Sequence, residues 1–381
     1  MKEYTHGFLY GLNMWVEGEK GWFVGEHMQA LFEWDYNTHM CKLIGALPDY
    51  EEIRFSGNSR CVKYNEYIYC LPHLGTCIWV YDLSSKIFDK IEIDNTVGVN
   101  IDMNYVGQKD GYIFCFSHNF KKMFKIDGEK KKLEMFSLLE DETAEYANFL
   151  MIENCIMTWC KNKSAICSFD IVSGEVEMEY IPELKDKGLA FCFDGEKYWF
   201  VGKSTELYIW DPHEQNCECI NEFSEDLKIC YDGKELPFGG PICKNGVIWI
   251  PQWRANRSIC IAKEDREINE MVLGDWRLDT GNEGLPMSYQ YSIKERYMGF
   301  YSWREHKIIE VDLEQRTWQY KEIIDGPAIG EFLRKNPKWY KHYLGESELH
   351  RMFYGEMMLD ASTREVDVDH QSIGTRIYNT L

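Results

Sequence analysis

One pattern recurs along the chain, and its period constrains the fold more than any other feature. An aromatic and β-branched run is followed by a short polar turn, a second apolar run ending in Asp, another turn, and an alternating run. Each unit reads as three successive antiparallel strands. The copies span Gly21–Ile44, Glu66–Ile93, Gly111–Leu138, Cys155–Ile181, Lys197–Phe223, Gly246–Leu273 and Arg296–Ile323. The closing Asp falls at Asp35, Asp82, Asp127, Asp170, Asp211 and Asp312, with Lys263 at the equivalent place in the sixth copy. Successive members are 41 to 52 residues apart. A period of about 40 to 50 residues with several strands per unit is the signature of a propeller blade.

The segment before each copy supplies a fourth strand: Phe8–Val16, Arg54–Val62, Val99–Tyr105, Tyr146–Ile152, Leu189–Phe193, Pro241–Lys244 and Met287–Ile293. In a propeller this first strand lines the axis, and Asn100, Asp102, Asn104, Ser288 and Gln290 suit a wet channel. The expectation is an all-β, seven-bladed β-propeller of four-stranded antiparallel blades over residues 1–325. The closing Asp is expected to serve the turn into the outer strand, because its carboxylate reaches backbone amides two residues on.

The seventh copy carries Val311-Asp312 followed by Thr317-Trp318, and Tyr81-Asp82 and Phe169-Asp170 repeat the step. These residues resemble the kelch-like propellers, and Trp34-Asp35 and Trp210-Asp211 are also similar to the WD repeat. The Gly-Gly doublet of kelch blades and the Gly-His of WD repeats are missing. The resemblance covers residues 7–323 and implies a fold that hosts binding proteins and enzymes alike, so it fixes no activity.

After Asp325 the pattern changes. Phe332–Tyr343 and Ser347–Met358 have helical apolar spacing, so residues 326–381 are expected to form a short, partly helical extension that packs on or seals the propeller. With every blade drawn from consecutive strands, something must close the ring, and that extension is the expected element.

Charge narrows the partners. The chain has 63 Asp plus Glu against 42 Lys plus Arg, a net charge of −21, which opposes a nucleic-acid backbone or an anionic membrane surface. The N-terminus lacks a signal-peptide pattern, and the longest uncharged stretch, Tyr67–Tyr81, is too short for a membrane helix. Fourteen cysteines lie at strand-like positions without a Cys-x-x-Cys, which suits reduced core residues and a cytoplasmic location.

Chemistry is expected on one rim, where the turn between second and third strands meets the connection between blades. Counting back eight or nine residues from each closing residue reaches His27, His73, His118, Lys161, Lys203, Arg254 and Arg304. All are cationic or become so on protonation, and a ring of this kind focuses an anion at the channel mouth. Trp253 and Trp303 stand beside the two arginines, where they can stack a sugar or a flat heterocycle. The three histidines raise the idea of a metal, but they lack the short spacing of a metal motif, and no metal or other cofactor is expected. Serine-hydrolase, P-loop and sialidase Asp-box motifs are absent. The expected function is a binding or scaffolding propeller for an anionic small molecule, a glycan or an acidic protein partner. The alternative is a lyase or hydrolase acting on an acidic carbohydrate, with or without the assistance of a metal, for which Glu26 and Glu305 are the nearby carboxylates.

Overall fold

The computed structural model describes residues 14–25, 29–48, 58–94, 101–118, 120–139, 141, 143–203, 205–229, 237–253, 255–274, 288–293, 296–302 and 307–325. All belong to the first of two compact units, Met1–Gly330; the second, Glu331–Leu381, lies outside the described residues.

The strands follow chain order. The first group is β1 (Trp15–Glu17), β2 (Lys20–Gly25), β3 (Ala30–Asp35) and β4 (Met40–Ala46). Next come β5 (Asn58–Tyr64), β6 (Tyr67–Gly75), β7 (Cys77–Asp82) and β8 (Phe88–Glu92). The third group is β9 (Ile101–Lys109), β10 (Tyr112–Ser117), β11 (Lys122–Asp127) and β12 (Lys132–Phe136). The fourth is β13 (Tyr146–Ile152), β14 (Cys155–Cys160), β15 (Ala165–Asp170) and β16 (Val176–Tyr180). The fifth is β17 (Gly188–Phe193), β18 (Tyr198–Gly202), β19 (Leu207–Asp211) and β20 (Asn216–Ile220). Then follow β21 (Ile242–Lys244), β22 (Val247–Ile250), β23 (Ser258–Ala262) and β24 (Ile268–Met271). The last are β25 (Ser288–Ile293), β26 (Tyr297–Ser302), β27 (Lys307–Asp312), β28 (Thr317–Lys321) and β29 (Ile324–Asp325).

These strands build an all-β propeller whose sheets differ in two ways from the sequence expectation. Five blades are four-stranded antiparallel meanders, β1–β4, β13–β16, β17–β20, β21–β24 and β25–β28, the first extended by β29. The remaining eight strands form one continuous sheet rather than two separate blades. Seven separate four-stranded blades are therefore not what the chain forms. The cause is strand length: β6 and β9 each run for nine residues, and their ends pair with each other, placing His73 opposite Asp102 and Gly75 opposite Ile101. Sequence periodicity counts meanders, whereas edge pairing between meanders leaves no periodic trace. The helical element is corrected too. The helical turns among the described residues are two three-residue 3₁₀ turns, Lys161–Lys163 and Pro182–Leu184, and the expected extension over 326–381 lies outside those residues.

Burial follows strand position. The second and third strands of a blade are covered on both faces, so β2 and β7 are almost wholly buried, while the outer strands β12 and β20 alternate between exposed and half-buried. This is why the inner runs read as continuous apolar stretches and the outer ones as amphipathic. The core is divided into wedges between neighbouring meanders. One contains Trp22, Leu31, Cys61, Cys70 and Trp79; the next contains Val62, Tyr69, Ile113 and Phe124. Each buried aromatic or aliphatic side chain contributes about 1.5–3 kcal/mol before entropy is counted.

The closing Asp performs the expected turn role. Asp35, Asp82, Asp127, Asp170, Asp211 and Asp312 each accept the backbone N–H groups two and three residues on, at 2.7 to 3.1 Å. The residue four places on then adopts a left-handed backbone, as at His39, Lys86, Lys131, Gln215 and Arg316. In the sixth copy the place equivalent to Asp is Ala262, one residue before the expected Lys263, since Ala262 pairs with Val247 and accepts the N–H of Arg266.

Ring closure comes just upstream of the expected extension. β29 pairs in parallel with β4, the Ile324 N–H donating to the His39 carbonyl at 2.9 Å. The Trp34 indole N–H adds a hydrogen bond to the Glu322 carbonyl at 3.1 Å, and the Tyr36 hydroxyl bonds the Glu310 carboxylate across the same seam.

Candidate functional site

The β6–β9 junction that fuses the large sheet also assembles its polar cluster. β5 presents Arg60, the end of β6 presents His73, and the start of β9 presents Asp102. The Arg60 guanidinium donates to Asp102 Oδ1 at 2.5 Å and to the Met103 carbonyl at 3.1 Å. His73 Nδ1 lies 2.8 Å from the same carboxylate oxygen. Arg60 is the most covered of the three, its side chain 12% exposed against 32% for His73 and 24% for Asp102. Burial alone would raise the Asp102 carboxyl pKa, but the His73 hydrogen bond and the Arg60 charge overcome it and hold the group well below the usual carboxylate range.

Two further groups border this trio. His118 follows β10, whose last residue, Ser117, pairs with Met103 beside Asp102. The residue is exposed, yet desolvation of its imidazole by the surrounding protein pushes its pKa below the ordinary histidine value. Lys161 and Arg60 push the same way, and Asp102 opposes them. Lys161 opens the 3₁₀ turn between β14 and β15, where its N–H is held by the Glu145 carbonyl at 2.8 Å. Arg60 and Lys161 carry two positive charges against one on Asp102, leaving a surplus of one. Protonation of His73 and His118 raises it to three.

Of the rim residues expected from sequence, the structure brings His73, His118 and Lys161 into this one neighbourhood. Lys203 lies exposed after β18, and Trp253 is half-buried, its N–H donating to the Pro237 carbonyl at 3.0 Å. His27, Arg254, Arg304 and Trp303, together with Glu26 and Glu305, lie outside the described residues. Sequence reasoning missed Arg60 and treated Asp102 only as a channel-lining polar residue. An arginine within a first-strand segment was the available signal, but its partner depends on which blade edges meet. Among the described residues no group of three His, Cys, Asp or Glu side chains is placed to hold a metal ion.

No family model matches this chain, and no curated protein matches it. Solved structures do. A streptogramin B lyase superimposes with a TM-score of 0.57 at 14% identity, covering 81% of this chain and 96% of the other. Virginiamycin B lyase from Staphylococcus aureus gives 0.57 at 11% identity, covering 78% and 93%. U3-55K gives 0.54 at 10% identity, covering 79% and 90%. At these identities the likeness is one of fold, and the fold shared is the β-propeller.

Proposed function

We propose that the chain is a binding propeller whose mouth, centred on the Arg60–Asp102–His73 cluster, recognises an anion: a small molecule, a glycan or an acidic partner. The observation that carries this reading is the convergence of Arg60 and His73 on a single carboxylate, with His118 beside it and Lys161 within electrostatic reach of His118, in a chain of net charge −21. Local positive potential against a negative whole focuses an anion at that point. His27, Lys203, Arg254 and Arg304 extend the ring in this reading, with Trp253 and Trp303 as stacking surfaces. A reduced, cytoplasmic setting is supported by thirteen described cysteines without a disulfide.

The His73–Asp102 pair favours a second reading, an enzyme. A carboxylate that holds Nδ1 leaves Nε2 as a base of fixed orientation. A lyase or hydrolase acting on an acidic carbohydrate would use it to take up a proton, with Arg60 stabilising the charge that develops.

Calorimetry with sulfate, phosphate and galacturonate at pH 7.5 and 5.5 tests the binding reading. Binding should tighten at the lower pH and weaken with salt. Lys161→Ala and the double variant Arg254→Ala, Arg304→Ala should weaken it. Absence of binding by every anion at both pH values would remove this reading.

A further inference from the structure

Beside the cationic cluster stands an aromatic wall. The His118 ring meets Phe116 edge-on, with centroids 5.0 Å apart, and lies 6.0 Å from Phe149. Phe116 and Phe149 lie 4.2 Å apart, and Tyr146 backs both at 5.3 and 6.0 Å. The rings come from the two sides of a seam, Phe116 near the end of β10 and Phe149 standing on β13. Phe116 is fully covered, Phe149 is half-buried and His118 is exposed, so the outer members of the stack meet water.

This wall adjoins groups of fixed charge. Arg60 cannot swing freely, because both Asp102 and the Met103 carbonyl hold its guanidinium. His118 lies within the electrostatic reach of Arg60, Asp102 and Lys161. A small hydrated anion would use only the charge. An anion carrying a flat apolar ring would use the charge and also cover Phe149 and His118, gaining area burial together with offset or edge-to-face ring contacts.

We infer that the mouth selects a carboxylate attached to an aromatic ring, with the ring against Phe149 and His118 and the carboxylate directed to Lys161 and the outer face of Arg60. The inference rests on the reading of the mouth as an anion site and names the class of anion. A cationic aromatic ligand is disfavoured by the positive surplus. An aliphatic acid of the same charge lacks the ring contacts, and the expected preference for benzoate over acetate is about tenfold.

The test uses 4-fluorobenzoate as the probe, observed by fluorine NMR on the full chain, with benzoate, acetate and sulfate as competitors. Benzoate should displace the probe at about one-tenth the concentration of acetate. Phe149→Leu, which keeps an apolar side chain, should collapse that ratio while calorimetric binding of sulfate stays unchanged. A thermal transition like that of the wild type would confirm that the variant folds. Equal displacement by benzoate and acetate in the wild type, with sulfate still bound, would overturn the inference and leave the anion reading standing. Loss of all anion binding in the wild type would overturn both. A full aromatic preference in Phe149→Leu would overturn the assigned wall.

Discussion

His73 stands directly opposite Asp102 in the pairing that joins β6 to β9, and its Nδ1 lies 2.8 Å from the Asp102 carboxylate. The backbone register and the side-chain contact therefore act at one point. The carboxylate neutralises Arg60 on one side and orients an imidazole on the other, and it fastens two meanders together while doing so.

Asp102→Asn should destabilise the protein by about 1–3 kcal/mol at pH 7, because Arg60 would face an amide in a mostly covered place. The folded pKa of Asp102 lies below its unfolded value of about 3.9. Its contribution is therefore complete above about pH 5 and fades as pH falls through 3.9 toward the folded value. Urea unfolding should show a constant gap between wild type and variant from pH 7 to 5 and a narrower one at pH 3. A gap of equal size at pH 3 would assign the cost to shape rather than charge.

Ile324→Pro removes the N–H that bonds the His39 carbonyl and breaks the parallel pairing of β29 with β4. The thermal midpoint should fall, with an expected cost of about 1–3 kcal/mol. Ile324→Val keeps the donor and should remain close to wild type. Equal midpoints for the proline and valine variants would mean that the seam is held by the side chains of Trp34 and Tyr36 alone.

The turn aspartates make a graded prediction. Asp170 accepts two backbone N–H groups, from Val172 and Ser173, each at 2.8 Å. Asp170→Ala should lower the thermal midpoint, and Asp170→Asn, which retains an acceptor oxygen, should recover most of the loss. An asparagine variant as unstable as the alanine variant would point to charge, not hydrogen bonding, as the stabilising property.

Thiol chemistry reports the interior. Burial pushes Cys167 and Cys260 up to about 12, and both are covered, so they should react slowly in the native state. Cys219 is the exposed thiol among the described cysteines. Cys219→Ser should remove one thiol from the fast phase with a disulfide-exchange reagent, and wild type denatured without reductant should titrate close to fourteen. A fast phase unaffected by the substitution would show that β20 is covered in solution.

The meander was legible in sequence because it depends on local properties: aromatic and β-branched runs, turn residues and a carboxylate at a fixed offset. Tyr146–Ile152 was read as a strand with the bounds the structure gives. What escaped was relational. The fusion through His73 and Asp102 depends on two strands overrunning their turns, and the Arg60 ion pair depends on that fusion. The rim column was legible as a charge pattern, and His73, His118 and Lys161 do come together. The aromatic backing of His118 by Phe116 and Phe149 lay in two different meanders, beyond what a single repeat shows.

The parallel strand at Ile324–Asp325 also imposes an order on synthesis. Its partner, Met40–Cys41, emerges from the ribosome nearly three hundred residues earlier, and domains generally begin to organise while the chain is still growing. The first sheet must therefore wait with its outer edge unmatched until translation has passed residue 325. During that interval β4 is an open backbone edge of the kind that recruits other chains. The circular closure that protects the finished molecule leaves the nascent one exposed for most of its elongation, and chaperone dependence should concentrate on that edge.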